Sequence, residues 1–368
     1  MSSTVGRHDV TVPNPLRVAY TLEQCWHEVP GGSATAALHV ARRLATRADV
    51  ELIGVAGRHR RQPDAAFRAP IAVHSLPLAR PWLYEAWNRF EWPPVERAAG
   101  TVDVCHSTIA IPAATKAPQV VTIHDVAFVR APERFTSHGA RVMKAGLERC
   151  RRADLVLCPS AATLGDLVEL GFDERRIRRV PWGVEAVPVS GADVARVRNT
   201  YALPERFVLH VGTVEPRKNI SRLARATAGL DDDLPLVVAG AQGWGDAGGD
   251  EVGVRFLGFV PEPDLPAVYA SATVFAYPSL DEGFGMPVAE AMAYGLPVVT
   301  SRGTATEETA GGAAVLVDAD DTDSIRGGLV TALDDAPGFA ARGRARAAEL
   351  SWDATAEATL AAYREAAG

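Results

Sequence analysis

The stretch from Tyr277 to Thr300 reads YPSLDEGFGMPVAEAMAYGLPVVT and sets two carboxylates around a glycine-containing turn. The apolar run that ends at Tyr277 is typical of a strand, and Pro287 suits the first position of a helix that ends at Gly295. This pattern places Glu282 in a loop and Glu290 one turn into the helix. A strand, a loop and a helix in this order form the repeating unit of a parallel sheet covered by helices.

The chemistry of this segment favours a ligand that is rich in hydroxyl groups. Backbone N–H groups at a turn with glycines and at a helix start can face a ligand at close range. An ionised carboxylate can accept hydrogen bonds from two neighbouring hydroxyls, which both a sugar and a ribose present. Taken alone, either glutamate could have a role other than ligand binding: Glu282 could be a solvated loop residue, and Glu290 could interact with the helix dipole. The surrounding glycines, prolines and aromatic residues favour a nucleotide-sugar site.

The size and composition of the chain are those of a globular enzyme. At roughly 100–200 residues per domain, a chain of 368 residues suggests two domains. Hydrophobic residues make up 47% and charged residues 23%. No apolar run approaches the ~20 residues of a membrane-spanning helix, and the first residues lack the hydrophobic core of a signal peptide. We therefore expect a cytoplasmic protein.

The net charge and the cysteines argue against several kinds of site. The net charge of -7 is unlike that of a general nucleic-acid-binding protein, so we expect no nucleic-acid partner. Basic clusters at 58–61 and 175–179 are most simply solvated faces, and contact with an anionic partner is the alternative. The cysteines lack close CxxC pairing, which favours buried reduced thiols over a zinc site or disulfides. They are Cys25, Cys105, Cys150 and Cys158.

Short apolar runs alternate with helical patterns along the chain, which predicts an α/β fold with helices on both faces of parallel sheets. After the first strand we expect a loop at Gly31–Gly32 and a helix over Ala34–Ala45. The predicted strands of the first half are Leu16–Tyr20, Val50–Val55, Val102–His106, Gln119–Ile123, Leu155–Cys158 and Ile177–Val180. Those of the second half are Phe207–Val211, Leu236–Ala239, Val254–Leu257, Thr273–Tyr277, Pro297–Thr300 and Ala314–Val317.

These two series predict two Rossmann-like, doubly wound domains over residues 1–183 and 184–351. A final helix over 352–368, which Ser351 could cap, would cross back onto the first domain. Parallel sheets bind ligands at the carboxyl ends of their strands, so two such domains in series create a central cleft. The segments that could meet there are Gly31–Gly32, His124–Asp125, Glu215–Asn219 and the loop of Glu282.

A second informative segment is FVLHVGTVEPRKN at residues 207–219. Gly212 permits a close approach of the backbone, and Arg217 and Lys218 precede a helical pattern. Arginine offers a planar fork and lysine a mobile point charge, so together they could neutralise the charge that builds on a departing diphosphate. The alternative is a basic pair at an exposed helix start.

His124 and Asp125 end the predicted strand VVTIHD. A histidine exposed at this point could hydrogen-bond a sugar hydroxyl or help to orient an acceptor, although a lone histidine is usually structural. Asp125 could orient His124, or it could cap a helix.

Two further patterns bear on ligands. The glycines at 240–250 are not arranged as a dinucleotide fingerprint, which argues against NAD. Five aromatic residues are spaced like one face of a helix, which is typical of a core. A ring can also stack on a sugar, so Trp82 and Tyr84 are candidates for an acceptor contact. The five are Trp82, Tyr84, Trp87, Phe90 and Trp92.

The chain resembles the retaining GT-B glycosyltransferases of family 4, also called group 1. The resemblance rests on Glu282 and Glu290 with seven residues between them, combined with Gly212 and the Arg217–Lys218 pair. It covers most of the chain and is densest over residues 207–317. The segment VVTIHDVAFVRAPE is similar to members that transfer mannose-type sugars.

The resemblance implies a role for each matching residue. Glu282 and the backbone of residues 283–286 would hold the donor sugar, Glu290 the ribose hydroxyls, and Arg217 with Lys218 the diphosphate. His124 would lie near the donor sugar and the acceptor. The remaining donor-side residues are Gly32 near the phosphates, Phe259 and Val260 in the base pocket, and Gly283, Phe284, Gly285 and Met286 around the sugar.

We therefore expect a retaining enzyme that moves a hexose, mannose from GDP-mannose, to a hydroxyl of a saccharide, lipid-linked or small-molecule acceptor. The resemblance implies attack on the face that the nucleotide leaves, no cofactor and no bound metal. Contact with the inner membrane face is compatible with a lipid-linked acceptor. A UDP-sugar donor, a sugar-nucleotide epimerase and a non-catalytic nucleotide-sugar-binding protein are the alternatives.

Overall fold

The structure is a computed structural model that describes residues 14–27, 30–230, 234–243 and 253–368. Its framework is two separate parallel sheets. The strands of the first sheet are β1 (Leu16–Thr21), β2 (Val50–Ala56), β3 (Val73–Ser75), β4 (Val104–Ser107), β5 (Gln119–Thr122), β6 (Leu155–Cys158) and β7 (Ile177–Arg179). Those of the second sheet are β8 (Val208–Val211), β9 (Leu236–Ala239), β10 (Val254–Gly258), β11 (Val274–Tyr277), β12 (Val298–Ser301) and β13 (Val315–Val317).

Both sheets are doubly wound, as the alternation of strands and helices predicts. The order is β3-β2-β1-β4-β5-β6-β7 in the first sheet and β10-β9-β8-β11-β12-β13 in the second. In the first sheet, β2 and β3 are added on one side of β1, and β4 to β7 are added on its other side. The second sheet is built in the same way around β8. All predicted strands are confirmed to within two residues at each end. The short, half-polar strand β3 was not predicted.

Helices cover both faces of each sheet. They are α1 (Gly31–Leu44), α2 (Trp82–Phe90), α3 (Glu96–Ala99), α4 (Ala127–Arg130), α5 (Ser137–Cys150), α6 (Ala161–Glu169), α7 (Gly191–Thr200), α8 (Ile220–Ala228), α9 (Leu265–Ser271), α10 (Met286–Ala293), α11 (Ala305–Ala310), α12 (Thr322–Asp334), α13 (Ala336–Glu349) and α14 (Trp352–Ala367). One prediction is corrected here. Gly31 and Gly32 were predicted to form a loop before the helix, but they form the first turn of α1. Gly31 has a positive φ of 65° at the helix start, a conformation that glycine adopts readily.

The last helix belongs to the core of the first domain. Leu360 and Tyr363 on α14 are fully buried in the cluster that also holds Val18 and Leu38. The hydroxyl of Ser351 accepts hydrogen bonds from the backbone N–H groups of residues 353 and 354, so it caps α14. The predicted return of the chain to the first domain is confirmed. The precise domain boundaries remain a prediction.

The chain passes between the domains twice, and the two passages lie side by side. The backbone N–H of Val184 donates to the carbonyl of Leu350 over 3.0 Å. A Cβ on Gly183 would lie 2.1 Å from the backbone nitrogen of Trp352, so this close approach requires glycine.

The cysteines are buried thiols without disulfide partners, as predicted. Burial raises the pKa of Cys25, Cys105 and Cys158 to about 12, which keeps these thiols protonated at neutral pH. They therefore act as small apolar side chains in the core of the first domain.

Candidate functional site

A cleft of about 650 Å³ lies where the carboxyl ends of the two sheets face each other. Segments that follow β1, β4 and β5 form one wall, and segments that follow β8 and β11 form the other. Most of the predicted site residues meet here, although they are far apart in the sequence. Those that line the cleft are Gly32, His124, Asp125, Gly212, Arg217, Lys218, Glu282, Gly283, Phe284, Gly285, Met286 and Glu290.

The basic pair of the second domain is fixed by the turn that carries it. Residues 216–218 form a short 3-10 turn after β8, and Asn219 adopts a left-handed conformation with φ of 60° before α8 begins. The Asn219 side-chain amide donates to the carbonyl of Pro278 over 3.0 Å. The backbone N–H of Leu280 donates to the carbonyl of Arg217 over 2.8 Å. These bonds hold the basic turn against the loop of Glu282.

Glu282 forms ion pairs with both cations. Its Oε1 lies 2.9 Å from Nη1 of Arg217 and 2.6 Å from Nζ of Lys218. The side chains of Lys218 and Glu282 are only 7% and 9% exposed. Lys218 also donates to the hydroxyl of Tyr277 at the end of β11. Two cations held this firmly at the cleft are suited to binding a diphosphate.

The pKa values of the cluster favour the charged forms of Glu282 and Arg217. Burial by itself would raise the pKa of Glu282, but Arg217 and Lys218 outweigh it and lower this pKa to about 2. Burial would lower the pKa of the Arg217 guanidinium, but Glu282 and Glu215 raise it above its usual range. Burial and the charge of Arg217 lower the pKa of Lys218, and Glu282 opposes that shift.

Glu290 faces the cleft from the second turn of α10. The hydroxyl of Tyr269 donates to its Oε2 over 2.7 Å, which fixes the carboxyl. Burial raises the pKa of Glu290, and the Tyr269 bond opposes this. The start of α10 depends on Gly285, which has a φ of 86° and on which a Cβ would lie 2.5 Å from the side chain of Thr306.

His124 lies on the opposite wall, at the end of β5. Its Nε2 is 2.8 Å from the carbonyl oxygen of Thr108, which can only accept, so Nε2 carries the proton. Burial lowers the pKa of His124, which favours the neutral ring with an unprotonated Nδ1. Asp125 accepts a hydrogen bond from the backbone N–H of Ala127 over 3.0 Å. This bond lies just before α4, whose N-cap position is Val126, and the two predicted roles of Asp125 stay predictions.

Four predicted site residues do not reach the cleft. Phe259 is 68% exposed and Val260 is buried in the core, because both follow β10 at the edge of the second sheet. Trp82 is 69% exposed on α2. Tyr84 is buried behind the cleft wall, where its hydroxyl is 2.9 Å from Nε2 of His27.

The aromatic residues around α2 do not form one core face. Tyr84 and Trp87 are buried as predicted, whereas Trp82, Phe90 and Trp92 are 69%, 75% and 42% exposed. The helix ends at Phe90, so Trp92 lies outside it, and Trp82 and Phe90 occupy its two ends. The helical spacing therefore identified only the inner residues of this group.

Three residues at the site carried no role in the sequence prediction. Glu215 is 2% exposed and its Oε1 lies 2.6 Å from Nε of Arg217. Tyr277 contacts Lys218, and its position as the last residue of a predicted strand was the available signal. Trp182 packs between the domains, with ring centroids 5.2 Å from His124 and 5.4 Å from Phe284.

Within residues 14–27, 30–230, 234–243 and 253–368, no group of three or more His, Cys, Asp and Glu side chains is placed to hold a metal ion. In the same part of the chain, no helix is both long and apolar enough to cross a membrane.

Comparison with known proteins assigns each half of the chain to a glycosyltransferase family. Residues 30–186 match the description "Glycosyltransferase Family 4". Residues 193–349 match "Glycosyl transferases group 1". The first match falls on the wall that carries His124, and the second on the wall that carries Arg217 and Glu282.

Similar proteins are sugar-transferring enzymes. O-antigen chain mannosyltransferase B of Escherichia coli is 34% identical over 265 residues, which cover 67% of this chain and 70% of that protein. D-inositol 3-phosphate glycosyltransferase of Acidothermus cellulolyticus is 30% identical over an alignment that covers 92% of this chain and 88% of that protein.

Solved structures share the two-domain arrangement. Sucrose-phosphate synthase from Thermosynechococcus elongatus has a TM-score of 0.72 at 21% identity, covering 96% of this chain and 98% of that one. WaaG, a glycosyltransferase involved in lipopolysaccharide biosynthesis, has a TM-score of 0.68 at 18% identity, covering 94% and 98%. The fold is GT-B, and the chain belongs to the group 1, family 4 glycosyltransferases, as a hexosyltransferase.

Proposed function

We propose that the enzyme transfers mannose from GDP-mannose, with retention of configuration, to a hydroxyl of a saccharide, lipid-linked or small-molecule acceptor. The observation that carries this proposal is the buried contact of Arg217 and Lys218 with Glu282 at the wall of the cleft. Departure of the sugar leaves negative charge on the diphosphate. Cations that are already fixed in place stabilise this charge without reorganisation during the reaction.

The remaining donor contacts follow from the geometry of the second domain. Glu282 and the backbone of residues 283–286 bind the hydroxyls of the sugar, because a carboxylate and a glycine-rich turn lie together at the start of α10. Glu290 binds the ribose, with Tyr269 orienting its carboxyl. Gly32 and Gly212 line the cleft, and we assign the phosphates of the donor to the space beside them.

The state of Glu282 argues against one route to retention, the double displacement. A double displacement requires a free carboxylate nucleophile beside the anomeric carbon. Glu282 has a pKa of about 2 and is bound by two cations, which makes it a poor nucleophile. We propose instead that the acceptor attacks on the face that the nucleotide leaves, and that the departing phosphate takes up the acceptor proton. NMR of the product anomer tests this, and an inverted product would exclude it.

The choice of mannose is supported by the 34% identity to an O-antigen chain mannosyltransferase. The second candidate donor is a UDP-sugar, because a protein of the same fold, HepE from Anabaena, is in complex with UDP and glucose at a TM-score of 0.70 and 19% identity, covering 94% of this chain and 98% of that one. Release of GDP from GDP-mannose and of UDP from UDP-glucose should be measured in parallel. Exclusive turnover of the UDP-sugar would overturn the mannose assignment.

We also propose that transfer needs neither a cofactor nor a bound metal. Arg217 and Lys218 offer the diphosphate two positive charges at the place where a metal enzyme uses a divalent cation. Rates measured with excess EDTA, and again with added Mg²⁺ or Mn²⁺, test this. A rate that depends on the added ion would contradict the proposal.

A surface on the first domain is suited to peripheral contact with the inner membrane face, which a lipid-linked acceptor would require. The side chains of Trp82, Phe90 and Trp92 protrude near Arg89 and Arg141. These two arginines share the single carboxylate of Glu85, at 3.2 and 3.0 Å, and so leave excess positive charge. Exposed aromatic rings with basic neighbours favour the interface of an anionic bilayer.

Vesicle sedimentation tests the membrane contact. The protein should bind vesicles that contain phosphatidylserine better than vesicles of phosphatidylcholine alone, and Trp82→Ser with Phe90→Ser should remove this binding. Val330→Ser in the second domain is a matched control, because Val330 is also exposed, at 45%. Equal loss of binding in both variants would contradict the assignment.

A further inference from the structure

Glu215 is a buried carboxylate that lies behind the cleft and not in it. It precedes the turn of Arg217 and Lys218, is 2% exposed, and is not among the residues that line the cleft. A buried charge is costly unless it is paired, so its presence beside the reactive turn calls for a partner. That partner is Arg217, whose Nε lies 2.6 Å from Oε1 of Glu215.

The guanidinium of Arg217 is held on two sides. Glu215 contacts Nε, while Glu282 and the carbonyl of Asp281 contact Nη1 at 2.9 and 3.1 Å. Because the guanidinium is planar, contacts at Nε and Nη1 fix the orientation of the whole group. The Arg217 side chain is still 22% exposed and lines the cleft, so the oriented guanidinium is available to a ligand there.

Two basic side chains contact two acidic side chains in this cluster. Arg217 contacts both Glu215 and Glu282, and Lys218 contacts Glu282. Glu282 faces the cleft, where a donor sugar can reach it, whereas Glu215 is shielded from the cleft. Glu215 therefore remains with Arg217 when the donor binds, and it keeps the guanidinium oriented while Glu282 contacts the sugar.

We propose that Glu215 is a positioning residue for sugar transfer, which acts on the reaction only through Arg217 by holding its guanidinium toward the donor diphosphate. This inference rests on the proposed role of Arg217 in the transfer reaction. It does not depend on the identity of the sugar or of the base. A misdirected cation stabilises the departing diphosphate less well, so the loss falls on the chemical step.

A double-mutant cycle tests the proposal. Glu215→Gln keeps the shape of the side chain and removes its charge, and should lower kcat by about tenfold or more. The dissociation constant for GDP, measured by calorimetry, should not rise, since the substitution removes a negative charge near the diphosphate. In an Arg217→Ala background, Glu215→Gln should change kcat by less than about twofold, because the residue through which it acts is gone.

Two further variants guard against a trivial loss of folding. Glu215→Asp keeps the charge but shortens the side chain, so its kcat should lie between those of the wild type and Glu215→Gln. Glu96→Gln is the matched control, since Glu96 is a partly buried carboxylate of the first domain that accepts from Thr115 and the backbone of Lys116. Its kcat should equal that of the wild type.

The outcomes separate this inference from the proposed function. If Arg217→Ala lowers kcat but Glu215→Gln lowers it equally in both backgrounds, Glu215 acts on folding or packing and the positioning role is overturned. Wild-type kcat in Glu215→Gln also overturns it. If GDP-mannose is not turned over but a UDP-sugar is, the donor proposal fails, and the cycle measured with the UDP-sugar still decides the role of Glu215.

Discussion

Gly283 of the second domain packs directly against the backbone of His124 in the first domain. A Cβ at position 283 would lie 1.9 Å from the carbonyl oxygen of His124. The hydroxyl of Thr163 lies 3.4 Å from the carbonyl oxygens of both residues. The loop that carries Glu282 is therefore set in place by contact with the opposite wall of the cleft.

Gly283→Ala should reduce turnover by about a hundredfold, because the added methyl group forces the loop of Glu282 away from the first domain. The measurement is release of GDP from GDP-mannose. Gly165→Ala is the matched control: Gly165 lies in α6, and no atom would lie within 4 Å of its new Cβ. That variant should keep wild-type activity and gain up to about 1 kcal/mol of stability from helix propensity.

Arg217→Ala and Lys218→Ala should each lower turnover by about 10²–10³-fold while the protein remains folded. Each substitution removes one of the cations assigned to the diphosphate. Arg225→Ala on α8, the helix that follows this turn, removes an exposed cation and should leave the rate unchanged. Wild-type rates in both cleft variants would refute the diphosphate assignment.

Glu282 should contribute to stability in a way that depends on pH. Its pKa falls from 4.5 to about 2 on folding, so its contribution is present above pH 4.5 and is lost as the pH falls toward 2. Urea unfolding of the wild type and of Glu282→Gln should give a free-energy difference that is constant near neutral pH and shrinks in acid. A free-energy difference that did not change with pH would mean that the ion pairs do not lower the pKa of Glu282.

Glu290→Ala should weaken GDP binding by about 10–100-fold, the effect of losing hydrogen bonds to a charged group, and should affect kcat less. Tyr269→Phe should have a smaller effect in the same direction, because it removes only the 2.7 Å bond that orients the carboxyl. Calorimetry with GDP measures both. Unchanged affinity in Glu290→Ala would place the ribose elsewhere.

The strongest sequence predictions concerned residues whose position follows from the strand ends. Glu282, Arg217 and His124 each lie in the segment that follows a predicted strand, and parallel topology brings such segments to one edge. Glu290 followed from helical spacing after Pro287. For these residues, local pattern and overall topology point to the same place.

The predictions that the structure corrects depended on packing at greater distance. Phe259 follows a strand as His124 does, but β10 lies at the sheet edge and not beside β8, and strand order cannot be read from the sequence alone. Trp82 shares the helical spacing of Trp87, yet one is exposed and the other buried, because spacing does not say where a helix meets the core. Glu215 was not predicted to be functional. Its burial depends on the fold, and its contact with Arg217, two positions along the chain, does not show in the sequence pattern.

The position of α14 bears on how the protein is made. Leu360 and Tyr363 complete the core of a domain whose first strand begins at Leu16, so the ribosome must translate the entire second domain before that core can close. Until then, the nascent N-terminal half exposes apolar surface that chaperones can bind. A premature stop codon just before residue 352 would therefore damage the half of the enzyme that is synthesised first.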